Sequence, residues 1–307
     1  CQVTAVVGVT DNGGHSGQLR DALHMPQVGD TRQCLSALMD DRSIWGQLLR
    51  HRFTAEGLRG QSVGNFILAA LAEMHGGLSA AVAEVRRAAG VAQRVLPVAD
   101  ADTQIGAELE DGRVIVGEWQ IIQRTPCSVV KRLFLAPPVP AHPGVLNAIA
   151  NADLLVCCPG SLLTGIIAVL LPAGIRDAIA ASRARCLYVC NLMTQPGQTD
   201  GLTAGQHVTL LQKYLGRQVD TVVFNNGALP PSLLALYADH DSQPVVNDLR
   251  DVDVPVHLAD LVEHLDAETI QAYMRPHATG MRAGLHLMRH DAEKLAAQVM
   301  RLAASEA

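Results

Sequence analysis

Short apolar runs alternate with polar, glycine-containing breaks along this chain, and the rhythm predicts an α/β fold. The run at 3–9 stops at Thr10 and Asp11 and gives way to Asn12-Gly13-Gly14-His15-Ser16-Gly17, so a buried strand should empty into a tight polar loop. From about 31 to 89 the pattern is helical. Leu35, Leu38 and Met39 follow a cap at Asp30 or Thr31, 44–52 reads as a second helix, and 66–72 is apolar nearly all round, as a helix buried against other helices is. A helical insertion at about 25–90 is therefore expected. Strand character resumes at 91–97. Ile105, Ala107 and Leu109 then alternate with Glu108 and Glu110 up to Asp111-Gly112, which predicts a hairpin over about 104–122.

The second half repeats a strand, loop, helix unit. A strand is expected at 129–135 and a short helix at 143–150. The stretch 153–158 has almost no polar side chain, as befits a central parallel strand covered on both faces. It breaks at Pro159-Gly160-Ser161 before a helix over 164–181 that is interrupted around Pro172 to Gly174. Strands at 185–191 and 220–224 follow, then a helix at 230–237, an edge strand at 255–257, and a closing amphipathic helix at 290–302 carrying Leu295, Val299 and Leu302. The expectation is one α/β domain. Its mostly parallel sheet would be built from 3–9, 153–158, 185–191 and 220–224, with the helices of 31–89 packed at one end.

Ligands of such sheets bind at the carboxyl ends of the strands. Gly13, Gly14 and Gly17 would let backbone N–H groups reach an anion, while Asp11 could take a ribose or amine donor, help hold a metal, or cap its own turn. Arg20 and Arg32 flank this loop, either as a phosphate clamp or as ion pairs with Asp21 or Asp40. The Ser161 and Thr164 hydroxyls suit phosphate, although an ordinary turn reads the same way. Asn191, Thr194 and Gln195 end one strand, and Asn225 and Asn226 end another; amides of this kind suit a base or a sugar. The loops at 11–17, 159–164 and 191–195 are expected to converge on one pocket. His207, among apolar neighbours, reads as a packed or capping side chain.

Composition narrows the classes. With 307 residues the chain can bury a sizeable core, and 24 basic against 30 acidic residues, with 3% aromatics and no basic run, argue against a nucleic-acid partner. The apolar stretch 165–175 is too short to span a membrane, for which roughly 20 residues are needed. Seven cysteines do not make a disulfide framework here, so a reducing, cytoplasmic setting is expected, with Cys186 and Cys190 as core and no metal among the thiols. The chain opens on Cys1 directly before a strand, and no signal peptide is visible.

Taken together, Asp11 to Gly17, Gly29-Asp30-Thr31-Arg32, Gly64-Asn65, Pro159 to Thr164 and Tyr188 to Gly197 resemble the superfamily that joins 2-phospho-L-lactate transferases (CofD-like) with bacterial gluconeogenesis factors (YvcK-like). The 188–197 run and Arg289-His290-Asp291 resemble the gluconeogenesis-factor branch more. The resemblance implies a Rossmann-like three-layer α/β/α fold with a helical insertion, and a uridine diphosphate sugar such as UDP-N-acetylglucosamine as ligand. It further implies a regulatory role in cell shape during gluconeogenic growth. It adds Tyr237 and Arg289 to the ligand-binding residues, and with them Asp30, Asn65 and Gly160. It also implies an upstream strand and glycine-rich loop ahead of Cys1. The family's usual second aspartate is Asn12 here, and the loss of a carboxylate weakens a metal-based mechanism. Two functions are weighed: a nucleotide-sugar-binding regulator without turnover, and a phospho-transferase that uses magnesium on Asp11 or Asp30. A homo-oligomer is compatible with either.

Overall fold

Strands form where apolar side chains run without a polar break, and helices where they recur at three and four. A computed structural model describes residues 1–124, 128–266, 268–270 and 287–304, and the side chains of 14–16 also lie outside the described residues. It shows a mixed α/β architecture with mostly parallel pairing. The chain divides into two compact units: Cys1–Ala152 with Leu163–Arg183 and Tyr214–Gly216, and Asp153–Leu162 with Ala184–Lys213 and Arg217–Ala307.

In the first unit β1 (Thr4–Val7) pairs in parallel with β2 (Arg94–Pro97), Thr4 opposite Arg94. Between them run α1 (Gly14–Leu23), α2 (Gly29–Ala37), α3 (Ile44–Arg50), α4 (Val63–His75) and α5 (Leu78–Ala88). Val7, Leu35, Leu49, Leu68, Leu78 and Val85 from these elements close one apolar core. Gly64 permits the approach of α4 to α3, since a Cβ there would lie 2.8 Å from the Leu49 Cα and 2.8 Å from the Arg32 Cδ. An antiparallel sheet follows, in which β3 (Gln104–Leu109) is flanked by β4 (Val114–Val116) and β5 (Val130–Ala136).

In the second unit β6 (Leu154–Cys157), β7 (Arg185–Val189), β8 (Thr221–Asn225) and β9 (Val256–Ala259) form an all-parallel sheet in that order. Cys186, Leu187, Tyr188 and Val189 are all fully buried, so β7 is covered on both faces. The last described helix, Ala292–Ala304, lays Leu295 and Leu302 against Val189, Val223 and Leu261.

Four expectations change in detail. The 3–9 strand does not share a ladder with 153–158, 185–191 and 220–224; β1 bonds to β2 alone, and the sheet of β6 to β9 is separate. The return of the hairpin stops at Val116. Gly117 then takes φ 109°, and residues Glu118–Ile122 form helix α6 instead of strand. The first polar loop is shorter than expected because α1 already begins at Gly14, with Gly13 as its N-cap. The helix over 164–181 breaks before Ile175, as the sequence predicts, but it starts earlier than expected and opens as a π-helix at Leu162–Ile167. The cysteines Cys1, Cys34, Cys157, Cys158, Cys186 and Cys190 are unbridged, and Cys127 lies outside the described residues. Among the described residues no single helix is long and apolar enough to cross a membrane.

Candidate functional site

The first unit gathers three carboxyl groups after β1. Asp11 Oδ1 accepts from the Gly13 amide at 2.8 Å and Oδ2 from Gln27 Nε2 at 2.9 Å, while Gln27 Oε1 takes the Asp30 amide at 3.4 Å. Glu118, from the start of α6, hydrogen-bonds to both Asp11 and Thr164. Burial, followed by the hydrogen bond to the Asp11 carboxylate, pushes Glu118 up to about 8. Burial and the charge of Asp11 raise Asp30 to about 6. Glu118 therefore holds its proton at neutral pH and donates it towards Asp11. Carboxyl groups poised this close to neutrality are suited to moving protons.

The backbone at Gly117 is what delivers Glu118. A Cβ on this left-handed residue would meet Gln120 Oε1 at 2.1 Å and Asn12 Nδ2 at 2.8 Å. Asn12 ties the same corner to the first loop: its Oδ1 accepts from the Trp119 amide at 3.0 Å and its Nδ2 donates to Gln120 Oε1 at 3.2 Å. The apolar alternation through 113–122 predicts strand and so hides Glu118. The Gly-Glu step after Val116, which breaks the alternation, was the available signal.

The other predicted residues of this unit hold structure together. Arg20 is 5% exposed, with Nε and Nη2 on Asp21 Oδ1 and with Asp102 3.7 Å away, so the ion-pair reading describes it. Arg32 is equally buried, and it donates through Nε to Asn65 Oδ1 at 2.9 Å and through Nη1 to the Leu49 carbonyl at 2.9 Å. Neither guanidinium extends into solvent as a clamp. Gly17 lies in the first turn of α1 with its amide on the Gly13 carbonyl at 3.3 Å; Gly14 is the first residue of that helix, and the Ser16 side chain lies outside the described residues. Among the described residues no group of three or more His, Cys, Asp or Glu side chains could hold a metal ion. Both Asp11 oxygens already accept N–H donors, so the carboxylates as arranged do not fit magnesium.

In the second unit the loop after β6 meets the loop after β7. Asn191 Nδ2 donates to the Gly160 carbonyl at 2.8 Å; Gln195 Oε1 accepts from the Leu162 amide at 3.1 Å, and its Nε2 reaches Ser161 Oγ at 3.4 Å. Thr194 is engaged by its neighbours: the Gln243 amide donates to its Oγ1 at 2.9 Å and Ser242 Oγ to its carbonyl at 2.6 Å. Asn225 caps its own turn, its Oδ1 accepting from Gly227 and Leu261 amides and its Nδ2 donating to the Gly227 carbonyl. Asn226 is exposed and donates its amide to Ala259. Tyr237 is 3% exposed, and its hydroxyl accepts from the Met288 amide at 2.9 Å. Arg289 forms a two-point pair with Glu263 at the surface. His207 is buried, with Nδ1 2.8 Å from the carbonyl of Thr203, the residue just before its helix.

Comparison with known proteins gives one answer. A relative from Thermotoga maritima is 38% identical over 98% of this chain and 91% of its own length. The gluconeogenesis factor of Bacillus subtilis is 38% identical over 81% of this chain and 79% of its own. A crystal structure of a Bacillus halodurans protein of the UPF0052 family superposes with a TM-score of 0.86 at 32% identity, covering 97% of this chain and 91% of that one. The family model described as 2-phospho-L-lactate transferase CofD matches residues 1–262, and the chain belongs to the CofD family.

Proposed function

We propose that this protein is a nucleotide-sugar-binding regulator of the gluconeogenesis-factor type, with a uridine diphosphate sugar such as UDP-N-acetylglucosamine as its ligand and cell shape under gluconeogenic growth as its field of action. The observation that carries the reading is the paired loop of Gly160, Ser161, Asn191 and Gln195 at the carboxyl ends of β6 and β7. Amides and hydroxyls there offer neutral donors and acceptors of the kind that read a base or a sugar, and strand ends of a parallel sheet are where such ligands bind. The relatives named as gluconeogenesis factors support the same branch. Calorimetric titration with UDP-N-acetylglucosamine, UDP and GDP, each with and without magnesium, tests it. Saturable binding of the uridine compounds is expected, and preference for GDP would count against it.

A second reading, transfer of a phospho-group from a nucleoside diphosphate-linked donor, draws on a different observation, the Asp11, Asp30 and Glu118 set with its raised carboxyl groups. Incubation with phospholactate donors decides it, since turnover by the wild-type chain that is lost in Glu118→Gln would move the protein to the transferase branch.

A further inference from the structure

Two hydrogen-bond acceptors near the carboxyl end of β7, one on Asn191 and one on His290, have no partner among the described residues. Asn191 is 7% exposed, and its amide orientation is fixed because Nδ2 donates to the Gly160 carbonyl at 2.8 Å. That leaves Oδ1 buried with no donor among the described residues. His290 reaches the same strand end from the other side of the sequence, its ring bonded to the backbone of Cys190, the residue immediately before Asn191. Its Nε2 is likewise buried and without a partner. Burial holds the imidazole near 4, so at neutral pH the ring is uncharged and a nitrogen that donates at Nδ1 leaves Nε2 as a bare lone pair.

The backbone around His290 is anchored. Val262 and His290 form an antiparallel bridge, the Glu263 amide donates to the Arg289 carbonyl at 3.0 Å, and the Asp291 amide donates to the Leu261 carbonyl at 2.7 Å. Both acceptors are thus set by fixed neighbours. A buried acceptor left without a donor costs about 1–3 kcal/mol, and native interiors rarely carry one without a reason. Two such neutral acceptors, one on a ring held by the backbone of residue 190 and the other on the side chain of residue 191, belong to the same strand end.

We infer that the carboxyl end of β7 is a hydroxyl-binding site, at which Asn191 Oδ1 and His290 Nε2 accept from neighbouring hydroxyls of a sugar. A neutral acceptor pair discriminates against anions and against carbonyl-rich base edges, because both bring lone pairs to lone pairs. It selects ligands with adjacent O–H donors. A ribose and a hexose share that chemistry, and the choice of uridine compounds as probes rests on the nucleotide-sugar reading above.

The experiment uses the whole chain and leaves the protein unaltered in its first arm. Affinities for UDP and 2′,3′-dideoxy-UDP are compared, then those for UDP-N-acetylglucosamine and UDP. Removing hydroxyls that dock on these acceptors should weaken binding by roughly tenfold. A loss in the first comparison assigns the site to the ribose, and a loss in the second assigns it to the hexose. In His290→Phe, checked for an unchanged melting curve, the responsible difference should shrink several-fold. Nitrogen-15 spectra of the imidazole provide a separate readout. In the free wild-type protein Nε2 should resonate as an unprotonated nitrogen and shift upfield when a sugar hydroxyl bonds to it. If uridine compounds fail to bind yet GDP or ribose 5-phosphate at millimolar concentration moves that resonance, the uridine reading falls and the hydroxyl site stands. Equal affinities for the hydroxylated and deoxy ligands, or an Nε2 resonance that no sugar-bearing ligand moves, overturns the proposal.

Discussion

Asn12 and Trp119 are bonded across more than a hundred residues of sequence: the Trp119 amide donates to Asn12 Oδ1 at 3.0 Å, and Asn12 Nδ2 returns a bond to Gln120 Oε1 at 3.2 Å. This one side chain joins the first loop to the helix that carries Glu118. Where the family's usual motif has an aspartate, the amide thus supplies a donor that a carboxylate lacks. Asn12→Ala should lower stability by about 0.5–1.5 kcal/mol, the range of one or two solvent-accessible hydrogen bonds. Urea unfolding checks this, and an unchanged midpoint would show that α6 is held by packing alone.

The raised Glu118 makes a signed prediction about pH. Its folded value of about 8 exceeds the ordinary 4.5, so the folded state binds a proton that the unfolded chain has lost between those values. The resulting stabilisation is fully present below about 4.5 and disappears as pH rises through 8. Asp30, raised from 3.8 to about 6, adds the same sign over a lower window. Glu118→Gln keeps the shape of the protonated acid and removes the titration. It should match the wild type near pH 5 and exceed it at pH 8.5 by on the order of 1–2 kcal/mol, after discounting for solvent screening. Thermal melts across pH 5 to 9 measure the difference, and parallel curves for the two proteins would remove the shared-proton account.

Much of this was legible because burial on both faces writes a continuous apolar run. The β7 segment reads Cys-Leu-Tyr-Val and every one of those side chains is buried. Helices α2 to α5 were equally plain from their periodicity. What escaped was decided by partners distant in sequence. The pairing of β1 with β2 spans five intervening helices, and no local pattern records it. For Arg20 and Arg32 the sequence leaves a phosphate clamp and an ion pair both open, and only the packed structure shows Arg20 on the Asp21 carboxylate and Arg32 on buried Asn65. Glu118 was hidden by the alternation before it, because a single positive φ at Gly117 converts strand into helix.

Arg32 gives a stability prediction from that same burial. Its Nε bonds to Asn65 and its Nη1 to the Leu49 carbonyl, so one planar group joins the starts of α2 and α4 to the end of α3. Lysine has a single ammonium and cannot reproduce a two-direction fork. Arg32→Lys is expected to cost about 1–3 kcal/mol, and Asn65→Ala a similar amount, because each leaves a buried group without its partner. In the double variant Arg32→Lys with Asn65→Ala the loss should be smaller than the two single losses added together. Strict additivity in chemical denaturation would mean that the pair is not coupled.

Arg289 and Glu263 supply the sharpest test of where a diphosphate would sit. The guanidinium is paired at two points with Glu263, half exposed on the Arg289 side. An exposed pair of this kind is worth about 0–1 kcal/mol, so exchanging the carboxylate for a ligand phosphate costs little and gains a doubly charged acceptor. Arg289→Ala is expected to weaken UDP-N-acetylglucosamine binding by about 1.5–3 kcal/mol without loss of fold. Glu263→Gln should act in the opposite direction, tightening binding by up to about fivefold, since it frees the fork from its competitor and removes a negative charge beside the phosphates. Tyr237 separates this from a general disturbance: it is buried, with its hydroxyl bonded to the Met288 amide, so Tyr237→Phe should lower stability by about 1 kcal/mol. Titration of the three variants beside melting curves reads all of these effects. If Arg289→Ala and Glu263→Gln both bind like the wild type, the diphosphate does not use this arginine, whatever ligand the protein takes.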